Sequence, residues 1–574
     1  MKGFGECNKS NYKSLKDNKN SEEQIINHAI TLHLKGNIPE AAKYYQNCID
    51  RGFRDHRVFS NYGIILNNLG KLKDAEFLYR KAIEINPNYA NAHYNLGNLL
   101  CDLGKLKDAE SSTRRAIKLN SNYANAYLNL GRILCDLGRL KDAELSYRKA
   151  IQLNPDFVDA YYNLGRILCD LGKLKDAESL TRKAIELNPN FTFAHYNLGN
   201  ILCTLGKLKE AEFSYRKAIQ LKPDLAIAHL NLGNVLSDLG NLKDAEISIR
   251  NAIKLNPDYA IAHSNLGNLL SDLGSLKDAE ISIRNAIKLN PDYAIAHLNL
   301  GNVLRNLGNL KDAEFSYRKA IKLKPSFADA YFNLSQVELI KGNYQSGLEN
   351  YEFRFKTKKP TKTHGQTKLK RLDYEKLKQG DKLLVISEQG LGDTLQYMRY
   401  VMYLKNQGLD VAFSAQEKLH PLIKSSGIHE NPLTPEQTST VLEGQWIPLL
   451  SLPKYLQVRS NNTIITGPYI YSTNELNKKW NAIISKDKRP IIGINWQGNK
   501  ETEINYLKGR SLPLETFSIL AKNNNLKFLS LQKGFGSEQL EHCSFKNKFI
   551  KCQTQIDSIW DFLENAAIIE NCDL

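Results

Sequence analysis

Residues 226–259 read AIAHLNLGNVLSDLGNLKDAEISIRNAIKLNPDY, and residues 260–293 repeat them almost letter for letter as AIAHSNLGNLLSDLGSLKDAEISIRNAIKLNPDY. Each copy has 34 residues, with one glycine in its first half, a second glycine seven residues later and a proline near its end. This pattern predicts a helix–turn–helix unit whose apolar face can be buried only by neighbouring units.

The same period runs through most of the chain and predicts an α-solenoid of ten repeats over residues 22–361. The first glycine is small enough to let two helices approach closely, the second suits a left-handed helix C-cap, and the proline ends the second helix. The first-glycine series is Gly63, Gly97, Gly131, Gly165, Gly199, Gly233, Gly267 and Gly301. The second-glycine series is Gly36, Gly70, Gly104, Gly138, Gly172, Gly206, Gly240, Gly274, Gly308 and Gly342.

These residues resemble the tetratricopeptide repeat family, and the resemblance implies a protein or peptide partner in the groove of the array. The first repeat has Ala29 in place of the first glycine and the last has Ser335, as expected of the atypical repeats that cap a solenoid. The chain departs from the family where an early aromatic residue is usual, because five repeats have histidine there. These are His93, His195, His229, His263 and His297.

A register of asparagines lies two residues before the first glycine, and helix propensity does not explain it, since asparagine is a poor helix former. It comprises Asn61, Asn95, Asn129, Asn163, Asn197, Asn231, Asn265, Asn299 and Asn333. A second series follows three residues later on the same helix face: Asn98, Arg132, Arg166, Asn200, Asn234, Asn268 and Asn302. The first series resembles the asparagine ladder of protein O-GlcNAc transferases.

That resemblance implies that the members from Asn95 to Asn299 bind the backbone of an extended peptide. The alternative is that each amide bonds the adjacent repeat and stabilises stacking. The sequence alone leaves both interpretations open, and they are compatible with each other.

Composition and charge limit the cellular location and the classes of partner that can be expected. No apolar stretch approaches the roughly 18–20 residues that a membrane span needs, and the first twenty residues lack the apolar segment of a signal peptide, so a cytoplasmic location is expected. The net charge of +17 includes a basic run from Arg354 to Arg371. This run predicts either attraction to nucleic acid or anionic lipid, or a charged linker beside a groove for an anionic donor. No aromatic-interleaved basic surface accompanies it, so a nucleic-acid partner is not expected.

Beyond about Leu377 the 34-residue period is lost and an α/β pattern begins. A strand, a glycine-rich turn, a helix and a strand follow one another, which predicts a βαβ unit with a parallel sheet, and a second unit of this kind starts near Pro490. The predicted strands are 382–387, 411–414, 490–496 and 526–531, and the predicted helices are 394–407, 514–521 and 558–571. Two Rossmann-like halves with a crevice between them are therefore expected.

Five motifs in this region resemble bacterial tetratricopeptide glycosyltransferases and, through them, heptosyltransferases. They are EQGLGD (388–393), PLLSLP (448–453), GINWQGN (493–499), GRSLPL (509–514) and FLSLQKG (528–534). The resemblance implies a GT-B glycosyltransferase module that takes a nucleotide sugar as co-substrate, with no other cofactor and no obligatory metal.

The same resemblance implies roles for single residues. Asp393 is the implied general base for the acceptor hydroxyl, and Gln389, Gly390 and Gly392 form the implied acceptor loop. The implied donor-binding residues are Gln497, Asn499, Arg510, Gln532 and Lys533, of which Arg510 faces the diphosphate. The alternative for Asp393 is an ordinary carboxylate in the first turn of a helix, which the helix dipole favours.

The expected organisation has five parts: a polar tail at 1–21, ten repeats at 22–361, a basic linker at 362–379, a first Rossmann-like half at 380–475, and the start of a nucleotide-sugar-binding half at 476–574. The last part is short for such a half, so a truncated or degenerate enzyme is expected. Two functions follow. The first is sugar transfer, hexosyl or N-acetylhexosaminyl, to a protein or peptide held by the array. The alternative is a non-catalytic protein-interaction scaffold.

Overall fold

The computed structural model describes residues 22–373, 375–459, 467–484, 489–498, 511–558 and 561–574. The chain divides into two compact units, one ending at Asn290 and the other beginning at Pro291. This division falls in the turn at the end of the repeat 260–293, whereas the sequence predicts a change of architecture only after residue 361.

The described part of the first unit is a succession of antiparallel helix pairs, and each helix has 13 or 14 residues from the second onward. The helices are α1 (22–34), α2 (Ile38–Asp50), α3 (His56–Asn68), α4 (Leu72–Ile85), α5 (Ala90–Asp102), α6 (Leu106–Leu119), α7 (Ala124–Asp136), α8 (Leu140–Leu153), α9 (Val158–Asp170), α10 (Leu174–Leu187), α11 (Thr192–Thr204), α12 (Leu208–Leu221), α13 (Ala226–Asp238), α14 (Leu242–Leu255), α15 (Ala260–Asp272) and α16 (Leu276–Leu289). The predicted helix–turn–helix units are confirmed here.

Both glycine series have the roles that the sequence predicts. Gly70, after α3, has a φ of +75°, and the N–H of Lys71 donates to the carbonyl of Leu66 at 2.9 Å, as in a Schellman C-cap. Gly131, inside α7, lies against the ring of Tyr147 on α8, because a Cβ at this position would be 2.5 Å from that ring. The first series therefore sets how closely the two helices of a repeat approach.

The histidines that replace the family's aromatic residue close the turn between repeats. The Nε2 of His93 lies 3.0 Å from the carbonyl oxygen of Pro87, and His195, His229 and His263 make the same contact with the proline six residues earlier. Burial lowers the pKa of His93, which favours the neutral ring that this turn holds.

The second unit begins with four helices of the same pattern and continues as an α/β module. The four are α17 (Ala294–Asn306), α18 (Leu310–Leu323), α19 (Ala328–Ile340) and α20 (Tyr344–Tyr351). A parallel sheet follows, with strands β1 (Lys370–Arg371), β2 (Lys382–Ile386), β3 (Asp410–Ser414) and β4 (Gln445–Pro448) in the order β1-β4-β2-β3. A second, smaller parallel sheet pairs β5 (Ile491–Ile494) with β6 (Lys527–Ser530).

Short helices connect and cover these strands. The α-helices are Leu391–Tyr397, Arg399–Asn406, His420–Ser425, Leu452–Tyr455, Asn474–Ile484, Gln539–His542, Gln553–Asp557 and Phe562–Glu570. The 3-10 helices are Glu352–Phe355, Glu417–Leu419, Glu436–Thr440, Leu449–Ser451, Leu514–Lys522 and Lys546–Lys548. At the chain end, the N–H of Gly493 on β5 donates to the carbonyl of Leu574 at 2.8 Å, so the last residues pair with the outer edge of β5.

The four strands predicted in this module are confirmed, but three other details differ. The predicted helix 394–407 is two helices that break at Met398, where the Tyr469 hydroxyl donates to the Leu395 carbonyl at 2.8 Å and Arg399 donates to the Gln396 carbonyl at 2.9 Å. These outside donors take carbonyls that a continuous helix would use. The segment 514–521 is a 3-10 helix, and the last helix begins at Phe562 rather than at residue 558.

The segment predicted as a basic linker is also partly ordered structure, because β1 lies within it and pairs with β4. The described sheets have six strands in total, and these are too few to demonstrate a GT-B architecture. That architecture stays a prediction.

Candidate peptide-binding face and carboxy-terminal cleft

The first asparagine series lies in the middle of alternate helices of the array, and most of its side chains are largely covered. Asn129 is 5% exposed and Asn197 is 8% exposed, while Asn95, Asn163, Asn231 and Asn265 are half-buried. In the second unit, Asn299 is buried as well. A ligand would therefore reach this series only at the bottom of a groove.

The amides of Asn231, Asn265 and Asn333 donate to the second series of the preceding repeat, whereas Asn95 donates to the Ser60 hydroxyl and Asn129 donates to the Thr113 hydroxyl of that repeat. The Nδ2 of Asn231 lies 3.1 Å from the Oδ1 of Asn200, and the Nδ2 of Asn265 lies 3.0 Å from the Oδ1 of Asn234. In the second unit, Asn333 and Asn302 form the same bond at 2.9 Å. These bonds support the stacking interpretation of the series.

Stacking does not use the full hydrogen-bonding capacity of these amides. An asparagine side chain offers two N–H donors and an oxygen with two lone pairs. When Asn234 accepts from Asn265, its own NH₂ group keeps both donors, and the Asn265 oxygen keeps its lone pairs. Asn268, in the second series, is exposed, whereas Asn200 and Asn234 are half-buried. Amide donors and acceptors thus remain for a bound backbone.

In the carboxy-terminal module, Asp393 lies in the first turn of the helix Leu391–Tyr397. Its Oδ2 accepts from the N–H of Gly390 at 3.0 Å, so the carboxylate caps the helix that carries it. Gln389 has a φ of +63°, which an L-residue adopts at a cost, and its Nε2 donates to the Tyr351 hydroxyl at 2.9 Å. The structure thus shows Asp393 as a carboxylate in the first turn of a helix, which is the alternative that the sequence analysis gives for this residue.

A buried ion-pair cluster fixes the start of this loop at Glu388, the residue before Gln389. Arg354 and Glu388 have fully buried side chains, and the guanidinium Nη2 lies 2.8 Å from the Glu388 Oε1 and 2.8 Å from the Ser451 hydroxyl. Arg354 also pairs with Glu352 at 2.7 Å. Burial alone would raise the pKa of Glu352, but the charge and hydrogen bonds of Arg354 outweigh burial and lower it.

This cluster corrects the interpretation of the basic run. Arg354, at the start of that run, is a buried structural cation and not part of a solvated linker, and Arg371, at its end, pairs with Glu352. Sequence reasoning missed Arg354 because a local count of charges does not reveal its partner Glu388, which lies 34 residues away.

A cavity of about 1380 Å³ is lined by the segments that directly follow β5 and β6, by the last helix, and by Leu395 and Leu422 from helices that follow β2 and β3. Three of the predicted donor-binding residues, Gln497, Gln532 and Lys533, line it together with Leu395, two residues after Asp393. Lys533 Nζ lies 2.6 Å from the Asn565 Oδ1. The Gln532 amide is used internally, since it accepts from the Gln497 N–H at 2.8 Å and donates to the Phe535 carbonyl at 2.8 Å.

Asp393 itself does not line this cavity. The other predicted donor-binding residues, Asn499 and Arg510, lie outside the described residues. Within the described ranges, no group of three or more histidine, cysteine or acidic side chains could hold a metal ion. None of the helices in those ranges combines the length and the apolar character that crossing a bilayer requires.

Comparison with known proteins gives family matches within the helical array. Models of the tetratricopeptide repeat match residues 56–89, 78–111, 131–172, 158–191, 180–213, 199–240, 230–294 and 294–327. A search of curated proteins gave no match.

Three solved structures are similar to parts of the chain. The structure of YrrB, described as a TPR protein with an unusual peptide-binding site, is 30% identical, with 32% of this chain and 95% of YrrB covered and a TM-score of 0.29. The structure of MamA is 27% identical, with 28% and 94% covered and a TM-score of 0.27. Yeast Tom70 is 16% identical, with 58% and 91% covered and a TM-score of 0.31.

These matches lend no support to a glycosyltransferase module, and they concern the helix pairs alone. The family models follow the same 34-residue units that the structure shows as helix–turn–helix pairs. Together, the matches and the helix pairs identify the chain as a tetratricopeptide-repeat protein.

Proposed function

We propose that the chain is a protein-interaction scaffold that binds an extended peptide segment of its partner across the first helices of its repeats. The observation that carries this proposal is the double row of amides, whose remaining donors and acceptors match those of a peptide backbone. Extended backbone needs such partners, because each residue brings one N–H and one carbonyl that must be satisfied when they leave water. The scaffold requires no chemistry from the carboxy-terminal module.

The test uses the full chain and an unbiased library of short peptides displayed on phage, followed by fluorescence anisotropy on the selected peptides. We expect the double variant Asn234→Ala and Asn268→Ala to weaken binding by about tenfold or more, because each lost pair of hydrogen bonds costs about 1 kcal/mol. The matched control is Asn251→Ala with Asn285→Ala, which removes exposed asparagines from the second helices of the same repeats.

Helix content by circular dichroism has to be unchanged in both double variants. If the two double variants bind the selected peptides equally well, the amide rows do not bind the peptide. The same conclusion follows if neither double variant weakens binding.

A second candidate function, sugar transfer, is favoured by the cavity that Lys533 lines. Three residues implied in donor binding line it, and the ammonium of Lys533 is a suitable partner for a diphosphate. Asp393 would take the proton of the acceptor hydroxyl as the sugar leaves the nucleoside diphosphate for that oxygen. The comparisons do not support this function, so it depends on the cavity and on the resemblance of the motifs.

Binding of a panel of nucleotide sugars, measured by calorimetry on the full chain, tests this candidate. We expect Lys533→Met to abolish saturable binding, while Lys551→Met, which removes an exposed lysine, leaves it unchanged. Asp393→Asn should keep binding and lose turnover. A folded chain that binds none of the panel would leave the scaffold as its function.

A further inference from the structure

The cavity of the carboxy-terminal module has polar and apolar walls of different origin. Most of its polar side chains come from two short segments: Asn495 and Gln497 follow β5, and Gln532 and Lys533 follow β6. Segments outside these two contribute mainly side chains that consist of carbon alone, among them Leu395, Leu422, Pro468 and Ile470. The cavity is thus amphipathic, with its polar groups concentrated where β5 and β6 end.

The last helix adds to the apolar wall. Phe562, Ala566 and Ile569 line the cavity, and intervals of four and three residues place them on one face of this helix. Ile569 is 56% exposed, and Phe535, in the segment after β6, is 46% exposed. Large apolar side chains that line a concave site and stay open to solvent are typical of ligand pockets.

A cation is held in place among these side chains. Lys533 is half-buried, and its Nζ lies 2.6 Å from the Oδ1 of Asn565 on the last helix. Asn565 is three residues from Phe562 and shares its helix face, so the ammonium lies beside the apolar wall. The Asn565 oxygen orients the ammonium but brings no negative charge. Because a charge in such a place is costly without a counter-ion, this arrangement favours an anionic ligand.

Two carboxylates of the last helix are close to Asn565 in sequence, and each has another partner. Glu564 pairs with Lys479. Glu570 lines the cavity but is exposed to solvent, and it accepts from the Nδ2 of Asn477 at 2.9 Å. Neither carboxylate replaces an anion at the ammonium.

The charge and the size of the cavity limit the class of ligand. Lys533 is the one cationic side chain among the described residues that line it, whereas a nucleoside diphosphate brings two phosphate groups, which proteins bind with several cations or with a helix N-terminus. The volume of about 1380 Å³ exceeds the roughly 300–1,000 Å³ of typical ligand sites, so a long apolar chain can be enclosed. An apolar chain with one anionic end matches both properties.

We propose that this cavity binds an aliphatic chain that ends in one anionic group, a carboxylate or a phosphate. The chain packs beside Phe535, Phe562 and Ile569, and the anionic group pairs with the ammonium of Lys533. This binding site goes beyond the scaffold function and does not depend on it. A nucleotide sugar would occupy the same cavity, so it is the competing ligand in the test.

Calorimetric titration of the full chain tests the ligand class with decanoate, decyl phosphate, decan-1-ol and hexanoate, each below the concentration at which it forms micelles. We expect one decanoate or decyl phosphate to bind per chain, at least about tenfold tighter than decanol, which lacks the charge. Hexanoate should bind more than about tenfold weaker than decanoate, because each buried methylene changes affinity about fourfold. The anion that binds tighter identifies the end group as that of a fatty acid or of a phosphorylated lipid.

Two variants separate the roles of the cation and of the apolar wall. Lys533→Met should lower the affinity for decanoate to that for decanol, while Lys551→Met, which removes an exposed lysine, should change neither. Ile569→Glu should weaken decanoate and decanol alike by at least about tenfold. Its matched control is Ile519→Glu, since Ile519 is 68% exposed in the same module and does not line the cavity. An unchanged urea midpoint shows that each variant is folded.

Three results would overturn this assignment. Equal affinities for decanoate and decanol would mean that Lys533 does not bind the anionic group. Decanoate binding that Ile569→Glu leaves unchanged would mean that the chain binds outside the cavity. A nucleotide sugar that binds through Lys533 and is not displaced by decanoate would identify the cavity as a sugar-donor site. Peptide binding by the repeats is measured separately, so each of these results leaves the scaffold function standing.

Discussion

Replacing Arg354 with methionine is expected to unfold the carboxy-terminal module at a urea concentration lower by roughly 1–3 M. Glu388, its partner, is fully buried and would be left without a cation beside it. Breaking a buried ion pair by removing one member costs about 3–5 kcal/mol, which divided by a typical urea dependence gives that shift. The loss is large because the whole stability of a domain is only about 5–15 kcal/mol.

Tryptophan fluorescence is the measurement, because all four tryptophans of the chain follow residue 440: Trp446, Trp480, Trp496 and Trp560. The signal therefore reports on the carboxy-terminal module and not on the repeats. Lys358→Met is the matched control, since it removes an exposed cation from the same basic run.

A double variant separates the buried charge from lost packing. Arg354→Met together with Glu388→Met should recover part of the loss, because two apolar groups in place of a buried ion pair are often nearly neutral. Identical urea midpoints for Arg354→Met and Lys358→Met would show that the cluster does not stabilise the module.

The features that the sequence predicts well are those that repeat. Gly70 and Gly131 recur with their 34-residue partners, and a local physical rule explains each of them: a left-handed C-cap for one and a close approach of two helices for the other. The strands β2 and β6 were likewise predictable, since a short apolar run bounded by glycine or asparagine is a local signal.

The features that were missed depend on residues far apart in the chain. The break at Met398 requires Tyr469, more than seventy residues later, and the burial of Arg354 requires Glu388. The asparagine ladder lies between these cases. Its register was predictable from the sequence. The choice between stacking and ligand binding depends on which hydrogen bonds form between neighbouring repeats, such as the one that the Asn265 amide donates to the Asn234 side-chain oxygen.

The histidines show a third situation, in which the residue is visible but its role is not. His93 departs from the family pattern in the sequence, and the Pro87 carbonyl that it contacts lies only six residues earlier in the chain. The C-terminus of a helix leaves carbonyls without intrahelical donors, and Pro87 directly follows the C-cap of α4, which is a signal that could have predicted the contact. The substitution of histidine for an aromatic residue therefore has a local structural cause.

Gly131→Val is expected to cost close to the upper end of the roughly 1–3 kcal/mol that overpacking a core costs. A Cβ at this position would lie 2.5 Å from the Tyr147 ring, which is fully buried and cannot move aside. Replacing glycine inside a helix should itself stabilise by up to about 1 kcal/mol, so steric overlap is the larger effect. Because each repeat is stabilised by its neighbours, the loss should extend to the helices that pack on α7 and α8.

The coupling between Gly131 and Tyr147 decides whether close approach is the reason for this glycine. Tyr147→Ala alone should also destabilise, by about 3–5 kcal/mol if it behaves as other large-to-small changes do. In the double variant the valine would occupy the space that the ring leaves, so the combined loss should fall short of the sum by at least about 1 kcal/mol. Urea unfolding followed by far-ultraviolet circular dichroism measures all three losses. Strict additivity would mean that the two side chains do not compete for the same space, and the glycine series would then need a different explanation.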